Sequence, residues 1–332
     1  MRRRIFYFLL LFLLCGCRES AQEIDTETEA ALPEITVCEP FLTLPETESK
    51  ITESETAEPV AVTETKPHTE TEIVDLLPLP DSVSTNITNN DVRKLLARMA
   101  EIADEYGVSV SYISGDGSYF CSIDGDKLYR SASTVKAIYC QYLVSTGIDL
   151  SAELLFDAQE ARTSVSGMLA SDARGERFSV GELIEYTLVY SDNMAYRMLF
   201  EEFGVEGFNR WVKDLGLEEL AFPSAEYEFF DVSAGALSGG MMVILQDGRL
   251  IETMKRAGFK LLALGTDHET ANKYGYEGGT KGYHDTGIIL APNPYVLTVM
   301  SIIDANRADA AVPFYEVTRL CDKLNEMLFG AS

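Results

Sequence analysis

The sequence predicts an α+β fold, in which an antiparallel sheet flanked by N-terminal and C-terminal helices carries an inserted all-helical lobe. Three observations lead to this prediction. Strand-like stretches lie only near the two ends of the region 86–332. Between them, residues 134–256 show helical patterns that are broken by glycines. An amphipathic helix is predicted before the first strands and after the last ones, so that both can cover the sheet.

The N-terminal helix is predicted by six apolar residues that recur on one helical face, and Gly107 should end it. These residues are Val92, Leu95, Leu96, Met99, Ile102 and Ala103. The stretches 108–113 and 119–123 follow, separated by a turn of glycine, serine and aspartate, and together they predict a β-hairpin.

The helical block contains a capping box at Ser179 and Glu182, directly before the apolar residues of a helix. Three further strands are predicted at 271–277, 283–290 and 295–303. A closing helix is indicated by Val317, Leu320, Cys321, Leu324 and Leu328.

Residues 1–17 have the features of an export signal. Three arginines precede an apolar run at 5–14, which is too short to span a bilayer. The sequence before Cys17 resembles the bacterial lipobox, so we expect Cys17 to be the lipid anchor of a lipoprotein. The alternative is an ordinary signal peptide in which the cysteine is incidental. Either reading places the mature chain outside the cytoplasm, in the cell envelope.

The chain is strongly acidic, with 27 basic and 53 acidic side chains and a net charge of −26. This charge argues against nucleic acid as a partner, and membrane contact is expected only through the lipid anchor. Residues 18–85 hold 17 acidic and 3 basic side chains with little apolar periodicity, so we expect a disordered tether there. One compact, monomeric domain is expected over residues 86–332.

Few residues of this domain could hold a metal or a cofactor, and we expect neither. Cys121, Cys140 and Cys321 match neither a zinc site nor a redox motif, and we interpret them as small core residues, with one disulfide left open. The domain has only His268 and His284, so a Ser-His-Asp triad has few ways to form.

The chemistry of the chain begins at Ser133 and Lys136, which open a long apolar run. Side chains at i and i+3 share a helical face, so both are expected on the first turn of a buried helix. A lysine whose pKa is lowered by burial and by a second cation can take the proton of a serine hydroxyl. Alone, this Ser-x-x-Lys spacing is weak evidence, because it arises often by chance.

Two further motifs follow in order: Ser191-Asp192-Asn193 in a turn between helices, and Lys273-Tyr274-Gly275 on the first late strand. With these three motifs the sequence resembles the class A β-lactamase and penicillin-binding superfamily of serine hydrolases. The resemblance covers nearly the whole domain and implies the β-lactamase/transpeptidase-like fold.

The resemblance implies a catalytic role for four residues. Ser133 would be acylated while Lys136 takes its proton. Ser191 would pass a proton to the departing nitrogen, and Lys273 would keep that network positively charged and help to bind the substrate carboxylate.

It also implies a set of substrate-binding positions. Asn193 would hold the side-chain amide of the substrate, and Tyr274, Gly275 and Tyr276 would line the substrate along the strand. The oxyanion would lie between the backbone N–H groups of Ser133 and Tyr276, where one such donor lowers the barrier by about 3 kcal/mol.

The chain departs from the family pattern in three places. Tyr274 stands where the family usually has threonine, which places a bulky phenol near the expected substrate carboxylate. Only 82 positions separate Ser191 from Lys273, so the family's Ω-loop, which carries the deacylating glutamate, is shortened. Glu226 and Glu228 are the candidate deacylation bases, or else solvated surface charges. The family's disulfide is not expected, because Ile184 stands at the position of the partner of Cys140.

The leading functional hypothesis is hydrolysis of the β-lactam amide through a Ser133 acyl-enzyme, which would confer antibiotic resistance. The alternatives are a D-Ala-D-Ala carboxypeptidase or a slowly deacylating penicillin-binding protein of the cell wall. A catalytically silent binding module tethered to the envelope is the alternative of another class.

Overall fold

The computed structural model describes residues 76–156, 169, 175–279 and 281–330. The predicted signal at 1–17, the anchor Cys17 and most of the predicted tether lie outside the described residues. The last part of that tether prediction was wrong. Residues Val83–Thr85 form strand β1, which pairs with residues 121–123, so the ordered domain begins before residue 86. A strand of only three residues has too little apolar periodicity to be predicted from the sequence.

A six-stranded antiparallel sheet is the frame of the domain, with strand order β1-β3-β2-β10-β9-β8. The hairpin and the three late strands predicted from the sequence therefore join in one sheet. Its strands are β1 (Val83–Thr85), β2 (Val108–Ser114), β3 (Phe120–Ile123), β8 (Thr270–Glu277), β9 (Gly282–Ile289) and β10 (Tyr295–Ser301). Two small ladders pair β4 (Leu128–Arg130) with β7 (Asp231–Ser233), and β5 (Glu153–Leu155) with β6 (Arg177–Ser179).

The two terminal helices pack on one face of the sheet as predicted. Helix α1 (Asn90–Tyr106) ends at Gly107, whose φ of 65° lies in the left-handed region. Helix α8 (Val312–Phe329) closes the domain, and the two helices contribute to one apolar core with β2, β3 and β10.

A second core fills the helical lobe, and its helices are α2 (Val135–Ser145), α3 (Val180–Val189), α4 (Asn193–Phe203), α5 (Glu206–Asp214), α6 (Ala234–Asp247) and α7 (Ile251–Lys255). Helix α2 is buried on nearly all sides. Helix α3 begins at the predicted capping box of Ser179 and Glu182. The predicted α+β fold with an inserted helical lobe is confirmed.

The three cysteines of the described domain are free and buried, so no disulfide joins them. Within the part of the chain that the structure describes, no helix has the length and apolar character of a membrane span.

Gly265 packs closely against helix α8, and a substitution at this glycine tests that contact. A Cβ there would overlap the backbone oxygen of Tyr315 in α8 and lie 2.8 Å from Cβ of Thr318. We expect Gly265→Ala to lower the free energy of unfolding by about 1–3 kcal/mol, because the helix has to move. Chemical denaturation would measure this loss.

The matched control is Gly235→Ala in the first turn of α6, where a Cβ would meet its nearest atom at 3.5 Å. That variant should be as stable as the wild type or slightly more stable. Equal losses in the two variants would contradict the packing described for Gly265.

Candidate active site

Ser133 lies in a tight turn between the sheet and the helical lobe. The prediction that it begins the α-helix was wrong in detail, because residues Ala132–Thr134 form a 3₁₀ turn and α2 follows at Val135. Ser131 anchors this turn, since its N–H donates to the carbonyl of Phe230 at 2.8 Å and its carbonyl accepts from the Thr134 hydroxyl at 2.6 Å. Ala132 adopts a φ of 45°, a costly conformation for a residue with a Cβ.

Strand β8 passes directly beside this turn at Gly275. A Cβ on Gly275 would lie 3.1 Å from the backbone nitrogens of both Ser133 and Thr134. A side chain at this position would require the strand or the turn to give way by a few tenths of an ångström. The third motif is thereby brought against the nucleophile, as the motif order implied.

Lys136 projects from the first turn of α2 into the loop between α3 and α4. Its side chain is fully buried, and its Nζ donates to the carbonyls of Ser191 at 2.9 Å and Asp192 at 3.3 Å, and to Oδ1 of Asn193 at 2.6 Å. The ring of Tyr196 lies 5.3 Å from the same nitrogen. Lys136 is therefore held by polar acceptors on one side and an aromatic face on the other.

Lys273 reaches the same loop from strand β8. Its Nζ donates to the Ser191 hydroxyl at 2.8 Å and to the carbonyl of Tyr274 at 2.9 Å. Ser191 thus has Lys136 at its backbone oxygen and Lys273 at its side chain. Its φ of 57° is strained for serine, and such strain persists only where the surroundings enforce it. The two lysines converge on one residue, as expected from the sequence.

The burial of these cations sets their protonation. Burial lowers the pKa of Lys136 well below its ordinary value, and the nearby charge of Lys273 lowers it further. Burial also lowers the pKa of Lys273 to about 7, although the carboxylate of Asp285 partly opposes this shift. Near neutral pH, Lys136 can therefore act as a base while a large fraction of Lys273 carries charge.

The loop that receives both lysines is fixed by Asp192. One of its carboxylate oxygens accepts from the backbone N–H groups of Met194 at 2.7 Å and Ala195 at 2.9 Å, which caps helix α4. The other oxygen accepts from the N–H of Leu169 at 2.9 Å. The aspartate of the second motif therefore holds the loop in place, and its neighbours Ser191 and Asn193 contact the two lysines.

A cavity of about 430 Å³ opens in front of Ser133. It contains three predicted site positions, Ser133, Asn193 and Tyr276, and both candidate deacylation bases. The complete lining is Arg130, Ala132, Ser133, Asn193, Met194, Arg197, Glu226, Tyr227, Glu228, Phe229, Tyr276 and Glu277. Among the described residues no hydrogen bond joins Ser133 to another side chain, which leaves its hydroxyl available to a substrate.

The two candidate bases differ in their surroundings. Glu226 is exposed at the cavity mouth. Glu228 is half-buried, forms an ion pair with Arg197 at 2.6 Å, and lies near enough to Lys136 to influence its pKa. Of the two, Glu228 is therefore the carboxylate that is held in place near Lys136.

The expectation that the Tyr274 phenol lies beside the substrate carboxylate stays a prediction. Its ring packs 4.5 Å from the ring of Phe259 and also contacts Tyr283, and it does not line the cavity. Successive residues of a strand point to opposite faces, but the long Lys273 side chain brings its Nζ to 5.8 Å from the centroid of the Tyr274 ring. The Tyr274 ring therefore belongs to an aromatic cluster of the sheet and also lies beside the Lys273 ammonium.

Arg130 and Arg197, the two arginines of the cavity, were not predicted as site residues from the sequence. Arg197 follows Asn193 by four positions on α4, so their shared helical face was a usable signal. Arg130 lies three positions before Ser133, and its position in the cavity depends on contacts between distant segments, which the sequence does not reveal. In the described ranges, no group of three or more His, Cys, Asp or Glu residues could hold a metal.

Comparisons with known proteins agree with this geometry. Residues 88–323 match the Beta-lactamase enzyme family, whereas a search of curated protein sequences found no match. PBP-A is 20% identical with a TM-score of 0.62, over 70% of this chain and 96% of its own.

Two β-lactamase structures show the same fold. The β-lactamase from Sphaerobacter thermophilus DSM 20745 is 18% identical with a TM-score of 0.61, over 70% of this chain and 98% of its own. An ancestral class A β-lactamase is 20% identical with a TM-score of 0.58, over 69% and 99% of the two chains. Because the matched residues span well over half of its length, this chain belongs to the beta-lactamase enzyme family.

Proposed function

We propose that this protein is a serine hydrolase that opens the β-lactam amide through an acyl-enzyme on Ser133. The observation that carries the proposal is the meeting of two buried lysines on Ser191, beside the nucleophile turn. Burying two cations is costly, and such perturbed groups in a cleft are typical of catalytic sites. The family match supports the same reaction class.

The proton of Ser133 passes to Lys136 in the first step of this mechanism. A neutral amine has two N–H groups and one lone pair, whereas Lys136 faces three acceptors. The proposed step therefore requires Lys136 to give up one of these contacts, of which the 3.3 Å contact to Asp192 is the longest, and to turn its lone pair to the Ser133 hydroxyl. The serine oxygen then forms a bond to the carbonyl carbon, and the developing oxyanion is stabilised by the N–H groups proposed for Ser133 and Tyr276.

The leaving nitrogen receives its proton from Ser191 as the amide bond breaks. The Ser191 hydroxyl accepts a hydrogen bond from Lys273, so its own proton can point to the substrate. The lost proton is replaced through the lysines that flank this residue. Water then hydrolyses the acyl-enzyme with a carboxylate as base.

A second function is favoured by the ion pair at Glu228. The Glu228 carboxylate is engaged by Arg197 at 2.6 Å, so a water would have to compete with this ion pair for the carboxylate, which would slow its attack. In that case the protein would be a slowly deacylating penicillin-binding protein or a D-Ala-D-Ala carboxypeptidase of the cell wall. The export signal and Cys17 support a location in the envelope for either function, as a lipid-anchored protein.

Intact-mass spectrometry over time with benzylpenicillin tests the proposal. We expect the wild type to gain one penicilloyl mass, and Ser133→Ala to gain none, because the nucleophile is lost. A short-lived adduct indicates a β-lactamase, and a persistent one indicates the second function. The matched control is Ser118→Ala on an exposed turn, which should label as the wild type does. Labelling of Ser133→Ala would contradict the proposal.

The acylation rate should fall as pH rises through about 7, because Lys273 then loses its charge. On the acid side, the acylation rate should rise with pH as Lys136 becomes neutral. The midpoint of this rise should lie well below the ordinary pKa of a lysine, because burial lowers the pKa of Lys136. Lys273→Arg keeps its charge and should move the falling limb up by at least about 2 pH units. Second-order acylation rates between pH 5 and 9 measure this, with the exposed Lys281→Arg as control. An unmoved limb in Lys273→Arg would refute the assignment.

Deacylation distinguishes the two candidate bases. We expect Glu228→Gln to slow hydrolysis of the acyl-enzyme by about a hundredfold, because Glu228 is the carboxylate held near Lys136. Glu226→Gln removes an equal charge from the exposed mouth and should change this rate less than about twofold. Single-turnover decay of the adduct measures both variants. The opposite order of the two effects would assign the base to Glu226.

A further inference from the structure

The cavity in front of Ser133 lies on the acyl side of the bond to be broken. Asn193 and Tyr276 line it together with Ser133, whereas Ser191 and Lys273, which serve the leaving group, do not. A substituent on the acyl half of a substrate would therefore enter this cavity. The carboxylate on the leaving half would stay near Lys273, outside it.

The cavity wall carries two arginines with different partners. Arg197 is ion-paired with Glu228 at 2.6 Å. Arg130 has no ion pair or side-chain hydrogen bond to any described residue, although Asp231 stands opposite it in the β4–β7 ladder. Glu226 is exposed at the mouth. Arg130 is itself half-buried and lines the cavity, so an anion that enters the cavity would lie near its positive charge.

The backbone of Arg130 is fixed by contacts from three directions. His284 lies with Nε2 at 2.9 Å from the Arg130 carbonyl, while its Nδ1 accepts from the N–H of Ser301 at 3.1 Å. Because Nδ1 is an acceptor, Nε2 carries the proton and donates to Arg130. Ser131, the next residue, donates to Phe230 at 2.8 Å, and the ladder with β7 holds the other side. The point from which the Arg130 side chain extends is therefore fixed at the wall of the cavity.

We propose that Arg130 binds a carboxylate on the acyl-side substituent of the substrate. This inference rests on the proposed acylation of Ser133 and adds a second anion site, separate from the one near Lys273. A guanidinium binds a carboxylate through two parallel hydrogen bonds, which are stronger than those between neutral groups. Substrates that carry a negative charge on both halves would then be favoured over those charged only on the leaving half.

Two penicillins provide a matched pair of probes. Carbenicillin differs from benzylpenicillin by one carboxylate on the acyl side chain. The readout is the ratio of their second-order acylation rates, measured by intact-mass spectrometry, because general damage to the enzyme cancels in a ratio. We expect Arg130→Gln to lower the carbenicillin to benzylpenicillin ratio by about tenfold. Arg210→Gln removes a positive charge from the exposed face of α5 and should leave the ratio unchanged.

The outcomes separate this inference from the proposed function. No adduct on the wild type with either penicillin would overturn both. Adducts with both penicillins and an equal ratio in wild type and Arg130→Gln would overturn the Arg130 site alone. Should Arg130→Gln fail to fold, Arg130→Lys keeps the charge but loses the paired hydrogen bonds. Its ratio is then expected to fall about threefold, and an unchanged ratio would overturn the site.

Discussion

The convergence of two buried lysines on Ser191 is the interaction on which the rest of the site depends. Removing an ammonium group from water costs several kcal/mol, so each lysine requires acceptors that are held in place. The loop between α3 and α4 supplies them as two carbonyls, an amide oxygen and a hydroxyl. The strained φ of Ser191 is a local cost of presenting these acceptors together. The helix cap at Asp192 holds the loop in this conformation.

The two lysines come from different halves of the domain. Lys136 stands on a helix whose side chains fill the core of the helical lobe, and Lys273 stands on the outermost strand of the sheet. Their distance from Ser191 is therefore set by how the lobe meets the sheet. Gly275 fixes that meeting, because strand β8 touches the backbone of the nucleophile turn there. The missing Cβ at this glycine thus allows strand β8, which carries Lys273, to lie against the turn that carries Ser133.

The sequence was sufficient for the fold and for the residues of the three motifs, because periodicity and motif order are local properties. The helix ending at Gly107 and the capping box at Ser179 are examples. Contacts between distant segments were not accessible in this way. The pairing of Arg197 with Glu228 and the packing of Tyr274 on Phe259 depend on which elements become neighbours, so neither was predicted from the sequence.

Glu228 connects the two halves of the proposed reaction. Its charge stabilises the protonated form of Lys136, which opposes the neutral state that acylation needs, while Arg197 holds the same carboxylate. A proton moving from Ser133 to Lys136 would strengthen the attraction between the lysine and Glu228, and the acyl-enzyme would inherit that arrangement. In the proposed mechanism, Glu228 would therefore attract the proton that acylation delivers to Lys136, while Arg197 competes with water for the same carboxylate. The balance between a β-lactamase and a slow penicillin binder would then depend on how firmly Arg197 holds Glu228.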